Sequence, residues 1–166
     1  LENPLQVEGL KDHPDRFGAA CREAGLAATP QRRVIFRVLA DSRDHPSVET
    51  IHSRVHAILP RVSLATVYRN LKLFVQAGLV EEVATGQSHA RYDANPLRHH
   101  HLICTRCGGV SDTYSEQFDS LGSAADRVVE GFEVHDFKVN LYGLCVACQQ
   151  EAQQSNDRDS KDTGGE

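Results

Sequence analysis

Two Cys-x-x-Cys pairs, Cys104-Thr105-Arg106-Cys107 and Cys145-Val146-Ala147-Cys148, are the residues best suited to do chemistry in this chain. Each pair can turn two thiolates toward one ion, and together they complete a tetrahedral zinc site. A closed four-thiolate site has no position for water, so its ion holds a fold rather than catalysing a reaction. Gly108-Gly109 leaves backbone room for the first knuckle turn. Two disulfides are the alternative, disfavoured in a reducing compartment, and a thioredoxin-type redox motif would need only one pair. The fifth cysteine, Cys21, falls on an apolar helical stripe and reads as a core residue.

His99, His100 and His101 directly precede the first pair. Alternation along a strand places His99 and His101 on one face and His100 on the other. A His-x-His pair beside carboxylates chelates a divalent ion, whereas a triple histidine alone is compatible with a polar loop; spacing leaves both readings open. Asp93 and Asp112 are the nearby oxygen donors. His45 lies in the loop from Asp41 to Ser47 and, by itself, reads as a surface histidine.

The elements that must position these groups follow from periodicity. Phe17, Ala20, Cys21 and Ala24 repeat at helical spacing, and Gly25 ends that segment. Thr29-Pro30 is an N-cap followed by proline at N1, and Val34, Ile35, Val38 and Leu39 form the stripe of a second helix. Ser47 caps a third, with an inner face of Val48, Ile51, Val55 and Ile58/Leu59, stopped by Pro60. Ser63 caps a fourth, buried through Leu64, Val67, Leu71 and Phe74/Val75 and ended by Gly78.

After Gly78 the period changes, and residues 79–84 and 90–93 predict two short strands joined by a turn around Gly86. Three helices followed by a hairpin predict a winged helix-turn-helix, which lays its last helix in the DNA major groove. Opposite that helix's apolar stripe stand Ala65, Thr66, Tyr68, Arg69 and Lys72, with Gln76 on the same side. Small residues, a ring and two cations suit base edges and phosphates; a solvated helix face is the plainer reading. Asn95-Pro96 marks a turn and a boundary. Strands over 99–103 and 110–114, a helix over about 117–130 and a longer strand over 133–144 predict a small α/β unit with an antiparallel sheet. Residues 149–166 are polar, and disorder is expected there.

Charge follows the same division. Residues 29–76 carry eight basic and three acidic side chains, and residues 85–166 carry seven basic and thirteen acidic ones, within a chain of net charge −5. A basic segment joined to an acidic remainder fits a polyanion-binding module with a separate partner domain. No apolar run approaches the ~20 residues of a membrane span and no signal-peptide core opens the chain, so neither a membrane protein nor a secreted precursor is expected.

The segments TPQRRVIFRVL, HPSVETIH, SLATVYRNLKLFVQAGLV, RYDAN and HHHLICTRCGG resemble, in order and spacing, the ferric uptake regulator (Fur) family over residues 29–148. Within it the chain is most similar to the peroxide-sensing, PerR-like branch. The resemblance implies an α+β protein: a winged helix-turn-helix DNA-binding domain over 1–94, a small α/β dimerisation domain with a four-cysteine zinc site over 95–148, and a polar tail over 149–166. It implies a regulatory Fe(II) or Mn(II) ligated by His45, Asp93, His99, His101 and Asp112. Of these, His45 and His99 correspond to the histidines oxidised by peroxide in that branch. Asp93 stands where iron-uptake repressors usually carry Glu. The chain departs from the pattern at Phe137, where members with a third metal site place His; His100 and Asp119 would be remnants of that site.

The expectation is therefore a cytoplasmic, homodimeric, metal-dependent repressor of a double-stranded DNA operator that senses hydrogen peroxide. It involves no membrane and no small organic substrate, and the protein is not an enzyme. An iron- or zinc-responsive repressor of metal uptake is the alternative on the same fold. A metallohydrolase would need a substrate cleft, an open coordination position and a general base, none of which the ligand count leaves room for. A thiol redox switch at the cysteines is a third possibility.

Overall fold

The computed structural model describes residues 16–86, 89–121, 131–132 and 134–162. The chain divides into two compact units, Leu1–Ala84 with Ser88–Arg98, and Thr85–Gln87 with His99–Glu166. The division after Arg98 falls beyond the expected boundary at 94. Tyr92 and Ala94 are buried with the helices of the first unit. The turn after them is tied back to strand β2: the Asn95 amide donates to Asp93 Oδ1 at 2.8 Å, and the Leu97 amide to Asn95 Oδ1 at 3.1 Å.

The first unit contains helices α1 (Arg16–Glu23), α2 (Pro30–Ala40), α3 (Val48–Ile58) and α4 (Leu64–Gln76) and an antiparallel hairpin of β1 (Glu81–Val83) and β2 (Arg91–Asp93). The expected caps form: Thr29, Ser47 and Ser63 accept from the amides of Arg32, Thr50 and Thr66, each satisfying a donor that the helix start leaves over. Gly25 and Gly78 follow α1 and α4 with φ of +65° and +64°, the left-handed termination that favours glycine. Three rings lock the core. Phe17 lies 5.0 Å from Phe36 and 5.7 Å from Phe74, centroid to centroid, and Phe36 meets Phe74 edge-on at 6.0 Å. Phe74 is fully buried, so Phe74→Ala is expected to cost about 3–5 kcal/mol, measured by urea unfolding.

Two expected core positions differ. Leu64 is 37% exposed and Ile58 is 58% exposed. Each sits in a helix's terminal turn, and beside Ile58 it is Leu59, the alternative at that position, that packs against the core. The buried set of α4 is instead Val67, Asn70, Leu71 and Phe74. Asn70 is polar, but its side chain is satisfied: it donates to Thr66 O at 2.7 Å and accepts from Arg32 Nε at 3.0 Å. Hydrogen bonding of this kind is what permits an amide in a core.

The second unit is built on a three-stranded sheet of order β4-β3-β5, with β3 at His100–Cys104, β4 at Val110–Thr113 and β5 at Asn140–Gly143. β3 pairs antiparallel with β4 but parallel with β5, so the sheet is mixed rather than antiparallel. The physical reason is the long return from β4, which enters on the far side of β3 and in the same direction. That return opens with helix α5, described over 116–121; the rest of the helix expected to 130 lies outside the described residues, as does Glu133. The strand expected over 133–144 forms regular pairing only at Asn140–Gly143. Residues 149–162, where disorder was expected, continue helix α6 (Val146–Asp162), which starts inside the second cysteine pair. The knuckle supplies the costly first turn, and Gln, Glu, Ala, Arg and Lys propagate helix readily. No helix among the described residues is long and apolar enough to cross a membrane.

Candidate functional site

The turn after β3 and the start of α6 bring the four cysteines together. One sulfur from each of Cys104, Cys107, Cys145 and Cys148 lies within 4.8 Å of the others, and Cys107 Sγ and Cys145 Sγ are 3.8 Å apart. Two sulfurs each about 2.3 Å from zinc and at a tetrahedral angle lie about 3.8 Å apart. The described cysteines are free thiols, so the disulfide alternative is not what the fold builds. Gly109 follows closely enough that a Cβ there would meet Cys107 Sγ at 3.3 Å.

The electrostatics of the cluster call for a cation. Backbone amides of Cys145, which donates to Cys104 Sγ at 3.4 Å, and of Cys107 lower the Cys104 thiol to about 6. The Cys145 sulfur beside it, together with burial, pushes Cys148 up to about 12. One negative charge is thus welcomed and the next repelled, and a dication removes that conflict by taking all four as thiolates. The donor set fits structural zinc.

The histidine run occupies the start of β3 and residue 99 before it. His99, His100 and His101 are all buried, at 3%, 1% and 1% exposure. His99 Nε2 and His101 Nε2 face each other at 3.0 Å, on one side of the strand as alternation predicts. That separation is the chord of two bonds of about 2.1 Å meeting at a right angle, the bite of a cis pair on a five- or six-coordinate ion. Asp112, paired with His101 across β3 and β4, puts Oδ1 at 3.6 Å from His99 Nε2. Tyr114 was missed in the sequence; its hydroxyl donates to Asp112 Oδ2 at 3.5 Å and so orients that carboxylate. A Tyr two residues after an acid on one strand shares its face, which was the available signal.

His100 points the other way. The Val139 amide donates to its Nδ1 at 3.2 Å, leaving Nε2 as the ring's N–H, 3.4 Å from Asp119 Oδ1. Phe118 and Phe137 flank it at 5.6 and 6.0 Å, centroid to centroid. Two phenyl rings thus flank His100, whose Nδ1 accepts a backbone amide.

In the first unit, His45 is 4% exposed, not a surface residue, and its backbone adopts φ +45°. A left-handed non-glycine residue costs of order 1–3 kcal/mol and persists only where its surroundings enforce it. Its Nε2 lies 3.8 Å from Asp93 Oδ1, and Asp93 is 7% exposed. A buried imidazole beside a buried carboxylate offers one nitrogen and one oxygen donor to a divalent ion. Both groups, His45/Asp93 and His99/His101/Asp112, supply nitrogen and oxygen donors of the kind that fit Fe(II) or Mn(II).

The expected nucleic-acid face lies on α4. Ala65, Tyr68, Arg69, Lys72 and Gln76 are exposed, Tyr68 at 46%. Thr66, the fifth residue of that face, is partly exposed, and its Oγ1 lies 2.9 Å from the cap hydroxyl of Ser63.

The ferric uptake regulator family model matches residues 23–142. The chain is 34% identical over 146 residues to the peroxide-responsive repressor PerR of Staphylococcus epidermidis, covering 88% of this chain and 97% of that protein. Among solved structures it is similar to a zinc-bound manganese uptake regulator, 35% identical, covering 78% of this chain and 98% of the other with a TM-score of 0.61. It is also similar to the Campylobacter jejuni peroxide stress regulator, 27% identical, covering 79% and 95% with a TM-score of 0.65.

Proposed function

Because this chain belongs to the ferric uptake regulator family, we propose that it is a metal-dependent DNA-binding repressor that senses hydrogen peroxide through oxidation of its ligand histidines. The observation that carries the reading is that each unit holds buried imidazoles beside a carboxylate: His45 with Asp93, and His99 and His101 with the partly exposed Asp112. In this reading all five side chains ligate one regulatory Fe(II) or Mn(II), and the four cysteines hold zinc permanently.

Sharing an ion fixes the angle between the two units. In a homodimer that angle sets the spacing of the two α4 helices, hence their fit to two operator half-sites. Tyr68, Arg69 and Lys72 then contact the duplex, with Ala65 allowing close approach. Coupling of the usual allosteric size, about 1–3 kcal/mol, changes operator affinity ~5–150-fold. Bound Fe(II) would supply the redox chemistry that cleaves the peroxide O–O bond within reach of its own ligands. His45 or His99 would take one peroxide oxygen on the ring carbon between its two nitrogens, the other oxygen leaving as water. The resulting 2-oxo-histidine keeps both nitrogens, but as amide-like groups that no longer ligate, which would free the units from each other.

The test uses zinc-loaded dimer and operator fragments selected from genomic DNA by its Mn(II)-loaded form. After stoichiometric peroxide, the Fe(II)-loaded protein is expected to release the operator and to carry one added oxygen on peptides containing His45 or His99. The Mn(II)-loaded protein is expected to do neither. Unmodified peptides and intact binding in the Fe(II) form would leave the other reading, an iron- or zinc-responsive repressor of metal uptake.

A further inference from the structure

We infer that Arg54 is a positioning residue for the regulatory histidine, its guanidinium clamping the loop that holds His45 in its left-handed conformation. The inference rests on His45 being a metal ligand, as proposed above.

The loop between α2 and α3 is fixed at both ends by its own helices. Ser42 closes onto α2, its amide donating to Leu39 O at 2.9 Å and its hydroxyl to Val38 O at 2.7 Å. Ser47 caps α3, and Pro46 O accepts from the Tyr92 amide at 3.1 Å. Between these anchors lie Arg43, Asp44 and His45, and the one non-glycine positive φ among the described residues is at His45.

Arg54, on the facing side of α3, reaches into this gap. Its Nη1 donates to Ser42 Oγ at 2.8 Å and Asp44 Oδ1 at 3.0 Å, and its Nη2 to Asp44 Oδ2 at 2.7 Å. The Ser42 hydroxyl donates to α2 and accepts from Arg54, so one planar fork ties α2, the loop and α3 together. The pair is 40% and 56% exposed, and exposed ion pairs add little to stability. What a bidentate fork does supply is direction: it fixes the peptide immediately before His45. A left-handed residue released from that restraint relaxes toward negative φ, which swings its imidazole away from Asp93. Loss of a group that orients a metal ligand typically weakens metal binding about 10–100-fold.

The experiment measures Mn(II) affinity of the full-length, zinc-loaded protein by the electron paramagnetic resonance of free Mn(II), together with amide hydrogen exchange of residues 43–47 in the absence of Mn(II). Arg54→Gln and Asp44→Asn remove the clamp from either side. Each is expected to weaken Mn(II) binding by about ten-fold or more, the double variant no further than either alone. Exchange over 43–47 should rise while the thermal midpoint and zinc content stay unchanged. Arg54→Lys, which keeps the charge and loses the fork, should behave as Arg54→Gln, a result a purely electrostatic role would not produce. His45→Ala is the control for the reading beneath. If it loses Mn(II) affinity while the clamp variants stay within two-fold of the parent, the positioning role is overturned alone. If His45→Ala itself binds Mn(II) as the parent does, the five-ligand reading and this inference fail together.

Discussion

Replacing His99 with alanine is expected to abolish Mn(II)-dependent operator binding while leaving zinc in place. His99 sits between two other donors, with its Nε2 3.0 Å from His101 Nε2 and 3.6 Å from Asp112 Oδ1. Removing it takes away one nitrogen and the partner against which both others are aimed, so neither His101 nor Asp112 can compensate. The whole of the metal–operator coupling, up to about 150-fold in affinity, should vanish. Fluorescence anisotropy of labelled operator with and without Mn(II) reads that loss, and atomic absorption reads the zinc. The zinc should stay because its four thiolates come from the β3–β4 turn and the start of α6, not from the histidine face of β3. Metal-dependent binding that survives in His99→Ala would remove His99 from the regulatory site.

Cys148→Ser is expected to have a larger structural effect: loss of zinc, collapse of the second unit and loss of dimer and operator binding. Among the described residues, the buried hydrophobic side chains of that unit are Ile103, Cys104, Val110 and Cys148, and two of these are ligands. So small a core cannot offset the entropy of ordering the unit. Apparent binding free energies of structural zinc, about 10–16 kcal/mol, match or exceed the whole stability of a typical domain. The first unit, with its own core from Phe17 to Ala94, should keep its helices. Zinc content, far-ultraviolet circular dichroism and sedimentation together check this; a zinc-free variant that stays dimeric with an intact sheet would show that the ion is not structural.

Helix starts and the four-thiolate site were legible because each depends on residues within a few positions. A hydroxyl accepts from an amide two or three residues on, and a Cys-x-x-Cys pair needs only its own turn. His45 was not legible in this way. Its burial and its φ of +45° belong to a loop whose neighbours are tied to distant residues: Asp44 to Arg54, ten residues on, and Pro46 O to the Tyr92 amide of the hairpin. Asn70 escaped for the same reason, since the partner that makes it tolerable in a core is Arg32 on another helix. Leu64, at the first position of α4, falls on the helix's apolar period and is nonetheless exposed, and of the pair Ile58/Leu59 it is Leu59 that packs against the core.

Strand direction in the second sheet shows the same division. Periodicity identified β3 and β4, and the short turn between them requires antiparallel pairing. Nothing local says on which side of β3 the chain returns, and the long connection through α5 makes β5 parallel. The sequence by itself determined the chemistry available: four thiolates, three successive imidazoles, two carboxylates near them and a basic helix face. Tertiary structure alone decided which imidazoles converge, as His99 and His101 do at 3.0 Å, and which, like His100, turn to the opposite face to accept a backbone amide. Side-chain identity is local information, whereas the direction of a lone pair depends on packing between segments far apart in the chain.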